Sequence, residues 1–146
     1  MAFDWTSGLL PSGLQLILPN MTASFKELKV WQKAHEFVLK VYKTTKIFPE
    51  WERFALSSQF QRAAVSVPAN IAEGYRKIGK ADKLKFLNIA QGSLEECRYY
   101  ILLAKDLEYI NAHTYEALEE EAETVSKLLT AYCKPIIAEK YKNDVK

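Results

Sequence analysis

The chain is poor in the residues that punctuate and cross-link a fold. Its 146 residues include five glycines, five prolines and two cysteines. Cys97 and Cys133 lack the CxxC spacing of a zinc site and are too few for a disulfide framework. Both fall in apolar-periodic stretches, so they read as buried, reduced thiols in a cytoplasmic protein. No run of about 18 apolar residues is present, which excludes a membrane-spanning helix. No useful length of sequence alternates at the two-residue period of a strand. There is no Gly-rich phosphate loop, no HExxH and no GxSxG. His35 and His113 stand apart from any nucleophile. Glu95 and Glu96 are adjacent and point to different helix faces, and the ExxH spacing of di-iron bundles is missing. These absences argue against an enzyme, a metal centre and a cofactor.

What is present is a core and an ordinary charge balance. Apolar residues make up 49% and charged residues 26%, enough for one folded domain. A formal charge of +2 is only mildly basic, so any argument for nucleic acid rests on how charge is distributed.

Residues 1–24 differ from the rest. One charge, Asp4, accompanies Gly8, Pro11, Gly13 and Pro19. The apolar Leu14–Leu18 segment has no basic start or small-residue cleavage site, so it makes a poor signal peptide. Met21 reads as a start and residues 1–20 as an upstream extension. The alternative is an arm that packs on a neighbouring subunit. The glycosylation sequon at Asn20 has no secretory context.

Four amphipathic helices follow. The first is predicted from Phe25 to Ile47, with Leu28, Trp31, Ala34, Phe37, Val38, Val41 and Tyr42 inward and Lys26, Lys29, Lys33, Lys40 and Lys43 outward. Pro49 ends it, and Trp51 and Phe54 are expected to pack across the turn. The second runs from Leu56 to Ile78. Leu56, Phe60, Ala63, Ala64, Val67, Ile71, Tyr75 and Ile78 recur at steps of three and four. Pro68 either kinks it or opens a new helix there. The unbroken apolar phase favours a kink near Pro68. The third spans Ala81 to Glu108, with Gly92 and Ser93 offering a close helix contact. The fourth spans Ala112 to Ile137, capped by Asn111 or Thr114, with glutamates crowding its start and Pro135 ending or kinking it. Residues 139–146 read as a polar tail. The fold class is therefore all-α: an antiparallel up-down four-helix bundle over residues 25–138.

Two sets of polar residues attract function. Arg62, Ser66, Asn70 and Glu73 form a row on the second helix, and their short hydrogen-bonding side chains are unusual for a solvated face. They are expected to form a network at a helix or subunit interface. Gly74, costly in a helix by about 1 kcal/mol, implies close approach of another backbone. The second set is basic. Arg76, Lys77, Lys80, Lys83 and Lys85 bracket the turn at Gly79, and with Lys26, Lys29 and Lys33 they are the candidates for phosphate contact. Aromatic residues near that cluster are few, Tyr75 and Phe86, and both read as core.

The segment FALSSQFQRAAVSVPANIAEGYRK, followed by KFLNIAQGSLEECRYYILLA, resembles the 23S rRNA intervening-sequence protein family from about Phe25 to Leu129. The resemblance implies a four-helix bundle, often a ring of five subunits, without a known catalytic site. A more distant similarity is to the accessory protein of diversity-generating retroelements, a basic pentameric bundle that binds nucleic acid and a reverse transcriptase. Two positions depart from the family pattern. Phe60-Gln61-Arg62 has one basic residue where two commonly precede Ala-Ala, and Ala55 stands where glycine is usual. Three functions compete on this reading: a nucleic-acid-associated homo-oligomer contacting RNA or DNA through basic faces, a scaffold that docks a partner protein, and an enzyme with an unrecognised site.

Overall fold

The computed structural model describes residues 24–145, so the expectations for residues 1–23 lie outside the described residues. Ser24 caps a 3₁₀ turn, Phe25–Glu27, its Oγ accepting from the Lys26 amide at 3.2 Å. Helix α1 is Lys29–Thr45, α2 Leu56–Arg76, α3 Lys80–Asp106 and α4 Ala112–Asp144. A second 3₁₀ turn, Glu50–Glu52, lies between α1 and α2. The described residues contain no strand.

Cross-helix pairs fix the directions. The Phe48 and Tyr109 rings, 5.4 Å apart, join the α1–α2 and α3–α4 connections at one end. Lys80 and Glu139 pair at 2.5 Å at the other. Between them, the hydroxyls of Ser66 and Ser93 meet at 2.8 Å, Arg98 reaches Glu123 at 2.7 Å, and Lys40 pairs with Glu121. Each helix therefore runs against its sequence neighbour in an antiparallel bundle.

The core follows the predicted period. Phe37 and Val41, Phe60 and Ile71, Leu87, Leu94 and Ile101, and Val125 and Leu129 are fully enclosed. On α1 Val30 is also buried, while Trp31 is half-buried and Tyr42 exposed. Trp31 instead stacks on His35, with ring centroids 5.1 Å apart.

Other expectations are corrected. The first helix begins at Lys29, because Leu28 takes an extended conformation (φ −70°, ψ 124°) that separates the capped 3₁₀ turn from α1. The alternative of a new helix opening at Pro68 is excluded, since α2 is one helix through that buried proline. Helix α2 stops at Arg76, leaving Ile78 exposed in the turn. Helix α4 runs through Pro135 to Asp144, past the predicted end. Pro135 is exposed, as is Ala131, whose carbonyl loses its helical partner to the proline, so water can satisfy that group. The ion pair from Glu139 to Lys80 and the packing of Ile136 on the core hold the added turns. A Cβ on Gly92 would meet nothing within 4 Å, so no close contact inside the subunit explains that glycine. Trp51 and Phe54 do not close over their turn. They are 76% and 88% exposed, with the Arg53 guanidinium 5.3 Å from the Phe54 ring centre.

The end of α3 carries local strain. The Tyr109 amide donates to Ala104 O and the Glu108 amide to Lys105 O, both at 2.9 Å, the bonding of a Schellman cap. The residue that must turn left-handed is Glu108 (φ 62°), where glycine is usual. Glu108→Gly is expected to stabilise the fold by about 1 kcal/mol, read as a higher urea midpoint at unchanged m. An unchanged midpoint would contradict this account of the cap.

Candidate nucleic-acid interface

The predicted basic residues come from two separate segments, and the antiparallel arrangement gathers them at one end of the bundle. The start of α1, the end of α2, the start of α3 and the end of α4 all lie there. Lys26 sits in the first 3₁₀ turn and Lys29 opens α1, both exposed. Arg76 is the last residue of α2, Lys77 its cap and Lys85 lies in the second turn of α3, all exposed. These five form no ion pair among the described residues.

Three other predicted lysines have structural partners. Lys33 pairs with Glu36 at 3.1 Å. Lys80 is held by Glu139. Lys83 turns back to cap α2, its Nζ donating to Tyr75 O at 2.7 Å and to Gly74 O at 3.3 Å. Carbonyls at a helix C-terminus lack amide partners, and a cation there also meets the negative end of the helix dipole. Partial burial pulls the Lys83 amine below its usual range.

The polar row on α2 divides. Ser66 and Asn70 belong to one network: Asn70 Nδ2 donates to Ser66 O at 2.7 Å and to Ser66 Oγ at 3.0 Å, and Ser66 continues to Ser93 on α3. Arg62 and Glu73 are exposed and join no ion pair among the described residues. They lie about 16 Å apart along the helix axis, beyond each other's reach. Gly74 is buried, and a Cβ there would sit 3.3 Å from Lys83 O and 3.4 Å from Phe86 Cβ. The backbone that approaches it is that of α3 in the same chain.

Further along α2 and α3, the Tyr100 hydroxyl donates to Glu96 Oε1 at 2.6 Å and lies 3.0 Å from Gln59 Oε1. Burial first, then the bond to Glu96, pushes the Tyr100 phenol up to about 12. Burial likewise raises the Cys97 thiol to about 12, so it is not a nucleophile near neutral pH. Native protein should leave Cys97 unlabelled by a thiol reagent that labels it in denaturant. Native labelling would contradict the burial. No cluster of metal-ligating side chains occurs among the described residues, and no described helix is long and apolar enough to cross a membrane.

The turns of α4 beyond the predicted end at Ile137 complete the basic end. Because α4 continues, Lys140 and Tyr141 stand beside Lys85, and with Asn88, Gln91 and Ile137 they border a groove of about 520 Å³ between α3 and α4. The signal was in the sequence: the inward period through Leu129 and Cys133 carries on to Ile136. The opposite end carries Glu50, Glu52, Asp106, Glu108 and Glu116 together with Lys46, Arg53 and Lys105, and the exposed Trp51 and Phe54 lie in its α1–α2 connection. The excess of positive charge is thus confined to one end, and the opposite end is of mixed charge.

The comparisons with known proteins bear on the whole bundle. A search of curated proteins finds no match. Among solved structures, the chain is similar to a protein of unknown function from the S23 ribosomal protein family of Bacteroides thetaiotaomicron. Identity is 30%, the match covers 72% of this chain and 95% of that one, and the TM-score is 0.67. The family model described as 23S rRNA-intervening sequence protein matches residues 26–131, which takes in α1, α2, α3 and most of α4. With the bundle, its packed helices and this match in agreement, the chain belongs to the 23S rRNA-intervening sequence protein family.

Proposed function

We propose that this protein is a non-enzymatic homo-oligomer that associates with RNA or DNA through the basic end of its bundle. The observation that carries the reading is the meeting of Lys26, Lys29, Arg76, Lys77 and Lys85 at one end, free of ion pairs among the described residues. Cations of this kind contact phosphates without regard to base sequence and gain affinity from released counterions. Cytoplasmic nucleic acid is the partner, and no cofactor takes part. Self-association is supported by an apolar groove of about 360 Å³ between α1 and α2, lined by Phe25, Trp31, Val38, Val65 and Ala69. Arg62 and Glu73 stand outward on α2 for a subunit contact.

The test is an anisotropy titration of labelled RNA and DNA at low salt, with particle mass measured on the same sample. Saturable binding by a multimer is expected. A folded protein that binds neither would overturn the nucleic-acid reading, and a folded monomer at all concentrations would overturn self-association. A second reading, a scaffold that docks a partner protein, is favoured by the two exposed aromatic residues of the α1–α2 connection, Trp51 and Phe54.

A further inference from the structure

We infer that the groove between α3 and α4 at the basic end is a single-strand site, in which Tyr141 stacks on an unpaired base while Lys85 and Lys140 hold the flanking phosphates. This rests on the nucleic-acid reading above and names its substrate class. The groove has a volume of about 520 Å³ and mixes three kinds of chemistry. Lys85 and Lys140 supply positive charge and form no ion pair among the described residues. Tyr141 is 63% exposed and Ile137, in the same lining, is 41% exposed, so an apolar surface faces solvent alongside the two cations. Asn88 and Gln91 bring amide donors and acceptors to the same wall, groups suited to base edges.

A duplex hides its base faces in the stack and offers this surface only its phosphates. A single strand offers both, and stacking on an aromatic side chain tolerates any base. The ring lies in the turns of α4 beyond Pro135, and the Lys80–Glu139 ion pair holds those turns against the start of α3. That anchoring presets the distance between Tyr141 and Lys85, so little chain ordering remains to be done on binding.

The test compares labelled oligouridylate and oligothymidylate with an RNA or DNA duplex of equal length, using the full chain. Wild type is expected to prefer the single strands by about tenfold, and Tyr141→Ala to bring the ratio of affinities close to one, since one stacked base is worth on this order. Tyr141→Phe should keep the preference because it keeps the ring face. Lys85→Ala with Lys140→Ala should weaken single strand and duplex alike. Equal binding of single strand and duplex by wild type, or a preference that survives Tyr141→Ala, would overturn this inference and leave the basic-end reading standing. No binding of any probe by folded protein would overturn both. Unchanged circular dichroism of the Tyr141 variants is expected from the exposure of that side chain.

Discussion

The variant Lys77→Glu/Lys85→Glu/Lys140→Glu is expected to lose nucleic-acid affinity on the order of a hundredfold at moderate salt. Each reversal removes a phosphate contact and adds a repelling carboxylate at the same place. The remaining cations of that end, Lys26, Lys29 and Arg76, then face new negative charge instead of acting together. Lys77 and Lys85 are exposed, Lys140 borders the groove, and none is part of an ion pair among the described residues, so the fold should be spared. The control lies at the other end. Lys43→Glu with Lys46→Glu changes two exposed lysines at the opposite end, and binding should fall only a few-fold through the general field of the molecule. Electrophoretic or anisotropy titrations of the two variants against wild type decide the matter. Equal losses from both ends would mean that affinity reflects overall charge and not a basic end.

The largest expected effect on stability comes from Phe60→Ala, which should cost about 3–5 kcal/mol. Phe60 is fully enclosed on α2, with its ring centre 5.9 Å from that of Tyr100 on α3. Truncation removes the apolar transfer energy and leaves a cavity that helices pinned on both sides cannot close. The same cavity loosens Tyr100, whose hydroxyl ties Glu96 and Gln59 across the two helices. In a domain of this size the melting temperature should drop by roughly 10 °C. Thermal and urea unfolding followed by circular dichroism measure it. A loss below about 1 kcal/mol would mean that this ring is not packed as described.

The parts of the fold governed by local period were legible in the sequence. The steps of three and four through Phe60, Val67 and Ile71, and through Leu87, Leu94 and Ile101, mark helix faces because a buried stripe must recur with the helical turn. The expected end of the fourth helix at Ile137 fell short, and Pro135 does not end it. The proline rules describe an isolated helix, whereas here an exposed position, the pair Lys80–Glu139 and the packing of Ile136 offset one lost hydrogen bond. Lys140 and Tyr141 were hidden by that reading alone. Trp51 and Phe54 were misplaced for a different reason: hydrophobicity says what a residue gains from burial, not whether a short turn can fold back far enough to bury it.

The basic residues show the limit of reading charge along a chain. Clustering in sequence identified Arg76 to Lys85, yet Lys83 is spent on the carbonyls of Gly74 and Tyr75 and Lys80 on Glu139. Lys26 and Lys29, some fifty residues away by sequence, reach the same end through the antiparallel path of α1 and α2. On the polar row, Ser66 bonds Ser93 of α3 and Asn70 bonds Ser66, while Arg62 and Glu73 are exposed.

The most direct test of a phosphate-binding end is the salt dependence of RNA and DNA binding by wild type and by Lys77→Glu/Lys85→Glu/Lys140→Glu. The logarithm of the binding constant for wild type should fall linearly with the logarithm of salt concentration, and the variant should show a slope shallower by about two to three contacts. Binding that ignores salt, or identical slopes for the two proteins, would contradict the account.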